Sequence, residues 1–409
     1  MRKVLLLVFS ALFLNAEIEL KGHLDFDVQA YMKKPEKKNK NAVTAKQTFE
    51  ISYMQDDLTI FSNLYAQEAY YDLTQDKQTK RTFARVDELY LKYDFENDAI
   101  KAGKSIEFWG ALEVRNIVDA FNPIDLRNDF YAKDKLGVYN ITYSHYTQSG
   151  ELSLIAKLYE QEQTMAETPY VYNFFPSFVT YDGTLESEDS KYRPSIYLKY
   201  SASTETEYAL DYAFIYENGY DSQRYFTSDG ALTGSGVNFM QNAYIVNKLM
   251  TYNTLVVDST LYKLEALYAK VDGDERVGDY SHIAIGVEHT IENIYKSAGL
   301  GLIAEYYRYD TYEDDKYDDL KLFETMQNDL FVGARYSFNN SNDSSFIGGG
   351  IFDLEYDEQS YYLKFESRAM DALKLSIEYD LIIPSTKFLT SYALLEKHER
   401  LAFNVAYHF

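Results

Sequence analysis

The sequence predicts an all-β chain: a transmembrane antiparallel up-and-down β-barrel of about 18 strands, with 16 as the alternative. Three observations carry this. Apolar and polar residues alternate at period 2 in stretch after stretch of the chain. The connections between those stretches alternate between tight polar turns and long loops. A mean hydropathy of −0.39 is too polar for a bundle of membrane helices, while 16% aromatic residues are too many for a disordered chain.

Residues 1–16 read as an export signal. Arg2 and Lys3 form a charged head, Val4 to Leu14 an apolar run broken only by Ser10, and Ala16 a small residue before the expected cut. The run is shorter than the roughly 20 apolar residues a membrane helix needs. Residues 17–409 are expected to form a single transmembrane barrel domain in the outer membrane of a Gram-negative bacterium. The first strand sets the pattern. Ile18, Leu20, Leu24, Phe26, Val28 and Met32 fall on one face, and Lys21, His23, Asp25, Asp27 and Gln29 on the other. The same dyad marks strands near 46–55, 58–68, 82–95, 99–107, 136–146, 150–160, 191–201, 205–216, 243–257, 260–271, 280–291, 297–308, 328–338, 344–356, 360–369, 373–381 and 401–409.

Tight turns such as Gln55-Asp56-Asp57 and Glu96-Asn97-Asp98 are expected on the periplasmic side. Long loops near 33–45, 69–81, 108–135, 161–190, 218–242, 309–327 and 382–398 are expected outside the cell, with 272–279 and 357–359 as short exceptions. Tyrosines near strand ends (Tyr53, Tyr93, Tyr143, Tyr200, Tyr336 and Tyr407) suit the bilayer–water boundary. The last strand, Val405-Ala406-Tyr407-His408-Phe409, ends on an aromatic residue. Tyr407 and Phe409 thereby resemble the sorting signal that outer-membrane barrels present to the barrel assembly machinery.

Composition excludes whole classes of chemistry. The 409 residues include no cysteine, which removes disulfide scaffolds, thiolate zinc sites, iron–sulfur clusters and cysteine nucleophiles. Lys+Arg total 40 against 64 Asp+Glu, and a net charge of −24 disfavours a nucleic-acid partner. His282 and His289 stand an odd number of residues apart, on opposite faces of one strand, so no metal site is expected from them. His145 has Ser144 beside it on the other face, which gives no nucleophile–base pair. Asp310, Glu313, Asp314, Asp315, Asp318 and Asp319 crowd one loop without the spacing of a calcium loop. The basic run Lys33 to Lys40 is placed to meet lipid phosphates. No metal, no cofactor and no enzymatic activity are expected.

The most informative stretch is Gly103-Lys104-Ser105-Ile106-Glu107-Phe108-Trp109-Gly110, followed by Asp119-Ala120-Phe121-Asn122-Pro123-Ile124-Asp125. It resembles the W-G…D-x-F-N-P-x-D block of a group of outer-membrane β-barrel porins distantly similar to the alginate-export barrels. Lys104 stands where that block more often has Arg. The resemblance implies an 18-strand porin and names Trp109, Gly110, Asn122 and Pro123 as its motif residues. From the residues themselves, Trp109-Gly110 breaks the strand pattern, and Leu112, Val114, Ile117 and Val118 have helix-compatible spacing across Ala111 to Ala120. A loop over 108–135 folded into the lumen would present charge there, whereas one packed on the rim would leave these charges solvated. The expected constriction residues are Lys104, Glu107, Glu113, Arg115, Asp119, Asp125 and Arg127, opposed acids and bases that would select ions.

The function expected from these features is a porin for passive diffusion of small hydrophilic solutes, cation-leaning because the chain is acidic, or weakly selective. The alternatives are a surface structural or adhesion barrel without transport, and an exporter of a polysaccharide. The partners expected are outer-membrane lipid and lipopolysaccharide, the barrel assembly machinery and small solutes, with a homo-oligomer allowed.

Overall fold

The computed structural model describes residues 17–34, 39–74, 80–128, 134–167, 170–173, 175, 179–205, 208–233, 236–312, 321, 324–395 and 398–409. Residues 1–16, expected to be an export signal, Glu207 and the acidic residues among 313–319 fall outside these residues.

Alternation becomes geometry directly. Eighteen strands form one sheet. They are β1 (Glu17–Lys33), β2 (Asn41–Gln55), β3 (Leu58–Ala69), β4 (Phe83–Asp94), β5 (Asp98–Ser105), β8 (Val138–Tyr146), β9 (Gly150–Lys157), β11 (Ser195–Glu205) and β12 (Ala209–Tyr220). The ring continues with β15 (Ile245–Val257), β16 (Thr260–Asp272), β17 (Tyr280–Tyr295), β18 (Ala298–Thr311), β19 (Asn328–Ser337), β20 (Ser345–Asp353), β21 (Gln359–Met370), β22 (Leu373–Ile383) and β23 (His398–His408). Each pairs antiparallel with its predecessor, and β23 returns to pair with β1. The sheet therefore has no edge, as hydrocarbon requires.

Tight turns and long loops segregate to opposite ends. Asp56 and Asp258 take φ of 49° and 51° in two tight turns, a left-handed conformation that Asp tolerates. The outward face is apolar: Ile18, Leu20, Leu24 and Phe26 on β1 and Ile283 and Ile285 on β17 are all exposed, as suits contact with lipid. At the closing seam, the Phe409 and Gly22 backbones exchange two 3.0 Å hydrogen bonds. A Cβ on Gly22 would meet the Phe409 ring at 2.7 Å, so the glycine makes room for the terminal aromatic.

Three expectations need correction. The strand expected over 205–216 begins at Ala209, and Glu205 ends β11 instead. The dyad pattern runs on through the turn, so the pattern alone does not locate it. The long loops also carry structure of their own: β10 (Val179–Ser187), β13 (Tyr225–Thr233) and β14 (Gly236–Ala243) make a three-stranded sheet outside the ring. Short helices α1 (Tyr70–Thr74) and α2 (Ser391–Leu395) and the two-residue pair β6 (Ile124–Asp125) and β7 (Asp134–Lys135) also lie in connections. Finally, Ala111 to Ala120 is irregular rather than helical. No helix among the described residues is long and apolar enough to cross a membrane.

Candidate functional site

The connection from β5 to β8 is described over 106–128 and 134–137, and its 111–118 stretch makes contacts on the far side of the ring. The Glu265 carboxylate of β16 accepts hydrogen bonds from the backbone N–H groups of Ala111 (2.6 Å), Leu112 (3.2 Å) and Val118 (3.3 Å). Glu305 of β18 accepts from Glu113 (2.7 Å) and Val114 (3.1 Å). Strands β9, β11, β12, β15, β16 and β17 separate β8 from β18 in the ring, so the segment runs through the barrel interior. These wall carboxylates explain the missing helix. A buried N–H needs an acceptor, and here the acceptors stand on the barrel wall rather than one turn earlier in the chain.

Apolar residues do the rest. Trp109, Leu112, Val118 and Phe121 are buried in one cluster with the inward-facing Ile215, Met250, Leu267, Ile303, Phe331 and Ile351. The Trp109 ring lies 5.5 Å from Phe121 and 5.6 Å from Tyr197 of β11. Gly110 has a φ of +144°. A Cβ there would collide with the Asn116 side chain, whose Oδ1 caps Leu112 N at 2.9 Å. Asn122 clamps both stems of the segment. Its Nδ2 donates to the Ser105 and Leu136 carbonyls (3.1 and 2.9 Å), while its Oδ1 accepts from Glu107 N (2.8 Å). The Pro123 carbonyl accepts from Leu136 N at 2.8 Å, tying the two stems once more.

The charged residues of this stretch are tied in pairs. Glu107 meets Lys101, Glu113 meets Arg335 at 2.6 Å, and Asp119 meets Lys135 at 2.5 Å. Arg115 reaches Glu324 at 3.0 Å and Thr325 at 2.8 Å. Asp125, fully buried, accepts from Arg85 of β4 and from Arg127 at 2.6 and 2.9 Å. Burial pushes the Asp125 carboxyl up, but Arg127 and Arg85 overcome that and hold it below the usual carboxylate range. The Arg127 guanidinium also lies 3.5 Å over the Phe83 ring. Lys104 is placed differently. It alternates with Ile100 on the outward face, beside Leu89 and Tyr139, and donates to the Val86 carbonyl at 2.6 Å. Strand parity decides this: Lys104 lies an even step from Ile100, so it points away from the lumen.

Beside the segment, along the opposite wall, lies a cavity of ≈ 310 Å³. It is lined by His23, Asp25, Asp27, Gln29 and Lys46 of β1 and β2, and by Lys364, Glu366, Lys374, Ser376, Glu378, Arg400, Ala402, Asn404, Ala406 and His408 of β21 to β23. The interior segment contributes Asn128 and Asp134. None of the seven residues expected at the constriction borders this cavity. Its charges form a lattice: Lys364 contacts Glu366 (2.7 Å) and Glu378 (3.2 Å), Lys374 contacts Glu366 (3.1 Å), and Arg400 contacts Asp380 (2.5 Å). Next to it, toward the long-loop end, sits a tyrosine cluster that bonds the lining residues Gln29 and Asn128. Tyr170 OH lies 2.8 Å from Tyr31 OH, 3.1 Å from Gln29 Oε1 and 3.3 Å from the Asn128 carbonyl, and the Arg81 guanidinium lies 3.9 Å over the Tyr170 ring.

Glu265, Glu305 and Tyr170 were not among the residues picked from the sequence. Inward positions on β12 to β20 mix apolar side chains with other buried charges, Glu217, Lys248, Glu288 and Asp329 among them, so these glutamates stand out only by their neighbours in the fold. The terminal Tyr407 and Phe409 rings face outward, stacked 6.3 Å apart. Among the described residues, no group of three or more His, Cys, Asp or Glu side chains is arranged to hold a metal ion.

Neither a protein-family model nor a curated protein sequence matches the chain. Solved structures do match over nearly its whole length. OccK8 (OprE) of Pseudomonas aeruginosa superposes with a TM-score of 0.55 at 9% identity, covering 96% of this chain and 98% of that one. OccK3 (OpdO) of the same organism gives 0.55 at 7% identity, covering 98% and 97%. A BenF-like porin from Pseudomonas fluorescens Pf-5 gives 0.54 at 10%, covering 96% and 98%. The chain has a porin fold. The likeness is one of architecture: a closed barrel of 18 antiparallel strands with almost no helix.

Proposed function

We propose that this chain is an outer-membrane channel of a Gram-negative bacterium, through which small hydrophilic solutes diffuse passively. The observation that carries this reading is the polar cavity held open between an interior loop and one wall of a closed barrel. A lumen filled for stability alone would be packed throughout. On this reading the 106–137 segment narrows the pore by its bulk, with Glu113, Arg115, Asp119 and Asp125 holding it in place. The block from Trp109 to Asp125 supports a kinship with alginate-export-type barrels, and Tyr407 with Phe409 would address the chain to the assembly machinery. Outer-membrane lipid and lipopolysaccharide then surround the apolar belt.

Selectivity on this reading is weak. Lys46, Lys364, Lys374 and Arg400 nearly balance Asp25, Asp27, Asp134, Glu366 and Glu378 around the cavity, so the acidity of the whole chain is not concentrated on the path. Single-channel conductance of the refolded protein in a planar bilayer under a salt gradient tests the proposal. Steady conductance with a small reversal potential of cation sign is expected. A barrel that folds, judged by heat-modifiable migration, yet stays silent would move the weight to a surface-binding barrel. The tyrosine cluster and the added three-stranded sheet at the long-loop end favour that second reading.

A further inference from the structure

Where β1 and β23 close the ring, His23 and His408 stand directly opposite each other in the register. Both face inward and line the cavity at its short-turn end. Their ring centroids are 5.5 Å apart with the planes tilted 39°. Two imidazoles binding one Zn²⁺ through nitrogen place each ring centre about 3.2 Å from the ion, hence roughly 5–5.6 Å from each other at bond angles of about 105–120°. The observed separation falls in that range without movement of the strands.

The surroundings suit a ligand pair. His23 Nε2 lies 3.1 Å from Asp25 Oδ2. Donating that N–H to a carboxylate leaves Nδ1 with its lone pair, the arrangement in which histidine usually meets a metal. The His408 imidazole makes no hydrogen bond among the described residues. Asp25 and Glu50 supply negative charge nearby and Lys46 opposes them, while Lys374 is held by Glu366. Imidazole nitrogens select zinc, nickel or copper over calcium and magnesium.

We propose that His23 and His408 form a divalent transition-metal site, completed by water, that staples the first and last strands of the barrel across their seam. The two histidines meet only when the ring is closed, so the ion binds the folded chain in preference to the unfolded one and stabilises it by mass action.

The test is calorimetric titration of the folded, detergent-solubilised barrel with Zn²⁺ alone, together with its unfolding temperature by heat-modifiable migration. One ion per barrel and a rise in unfolding temperature that EDTA reverses are expected. His23→Gln and His408→Gln should each abolish that equivalent, Asp25→Asn should weaken it about 10- to 100-fold, and His145→Gln should leave it intact. Binding is scored on the heat-modifiable fraction, so a misfolded variant does not count as a loss, and His408→Asn serves as a second substitution. Absence of saturable binding in the unmodified barrel, or undiminished binding in the doubly substituted one, overturns the site. The readout needs no conductance, so its failure and that of the channel reading are separable.

Discussion

Two walls of one ring differ in the apolar content of their inward faces. From β12 to β20 the inward positions include Ile215, Met250, Leu267, Ile303, Phe331 and Ile351, all buried under the interior segment. On β1, β2 and β21 to β23 they are His23, Asp25, Lys46, Lys364, Glu366, Lys374, Glu378 and Arg400, facing a cavity. The outward faces of both walls are alike, with Leu24 and Phe26 on one and Ile283 and Ile285 on the other. Outward residues report the membrane; inward residues report what occupies the lumen at that angle around the ring. An apolar stretch inside a barrel therefore marks where a loop is docked, and a charged stretch marks where water is left.

The sharpest break in that contrast comes from removing the loop's main anchor. Trp109→Ala deletes a fully buried ring against Phe121 and Tyr197, at a cost of about 3–5 kcal/mol. Its heat-modifiable transition should fall, and its conductance should become larger and noisier as the loop leaves the apolar wall. Glu305→Ala strands the Glu113 and Val114 N–H groups, at about 1–3 kcal/mol for each buried donor left unpaired. Glu305→Gln keeps an acceptor and should lose less. If both Glu305 variants match the unmodified channel in stability and current noise, the wall carboxylates do not hold the loop.

On the polar wall the expected effects are on ions rather than on stability. Replacing Lys364 and Lys374 by Gln removes two cations from the cavity lining and should move the reversal potential toward cations, with little change in unfolding. Mild acid should spare the Asp125 tie. The Asp125 carboxyl is held below its ordinary value, so its contribution is complete above the unfolded pKa of about 3.9 and is lost as pH falls through its own lower value. Loosening traceable to Asp125 should begin only below about pH 4, read as a fall in the heat-modifiable transition. The smallest effect is expected from Lys387→Ala. It breaks an exposed 2.8 Å pair with Asp357 and should change neither unfolding nor current, as isolated surface pairs contribute little.

The ring was legible in the sequence because one rule, period 2, generates it, and the lipid face enforces the rule at every strand. Strand parity was legible too, and it places Lys104 on the outward face once Ile100 is taken as the reference. The loop's conformation was not legible. Leu112, Val114, Ile117 and Val118 fit an amphipathic helix, but the same spacing lets an irregular segment lie on an apolar wall whose carboxylates take its N–H groups. Glu265 and Glu305 read as ordinary lumen charges because nothing local distinguishes a carboxylate facing water from one facing a backbone. Asn122 and Gly110 could be picked out from a motif, but their jobs, clamping two stems and clearing space for Asn116, exist only in the folded chain.

The pairing of β23 with β1 also governs the order of events in folding. Every other pair in the ring joins consecutive strands of the wall, so those hairpins form at low entropic cost as soon as both strands are available. The seam is the exception, since its partners lie at the two extremes of the ring's sequence and the loop to be closed is the longest in the domain. Until β23 docks, the sheet keeps two open edges, each a template for other chains. Closure of the seam is therefore the slow, all-or-none event of this fold, and substitutions in β23 should slow assembly far more than equal substitutions in a strand such as β16.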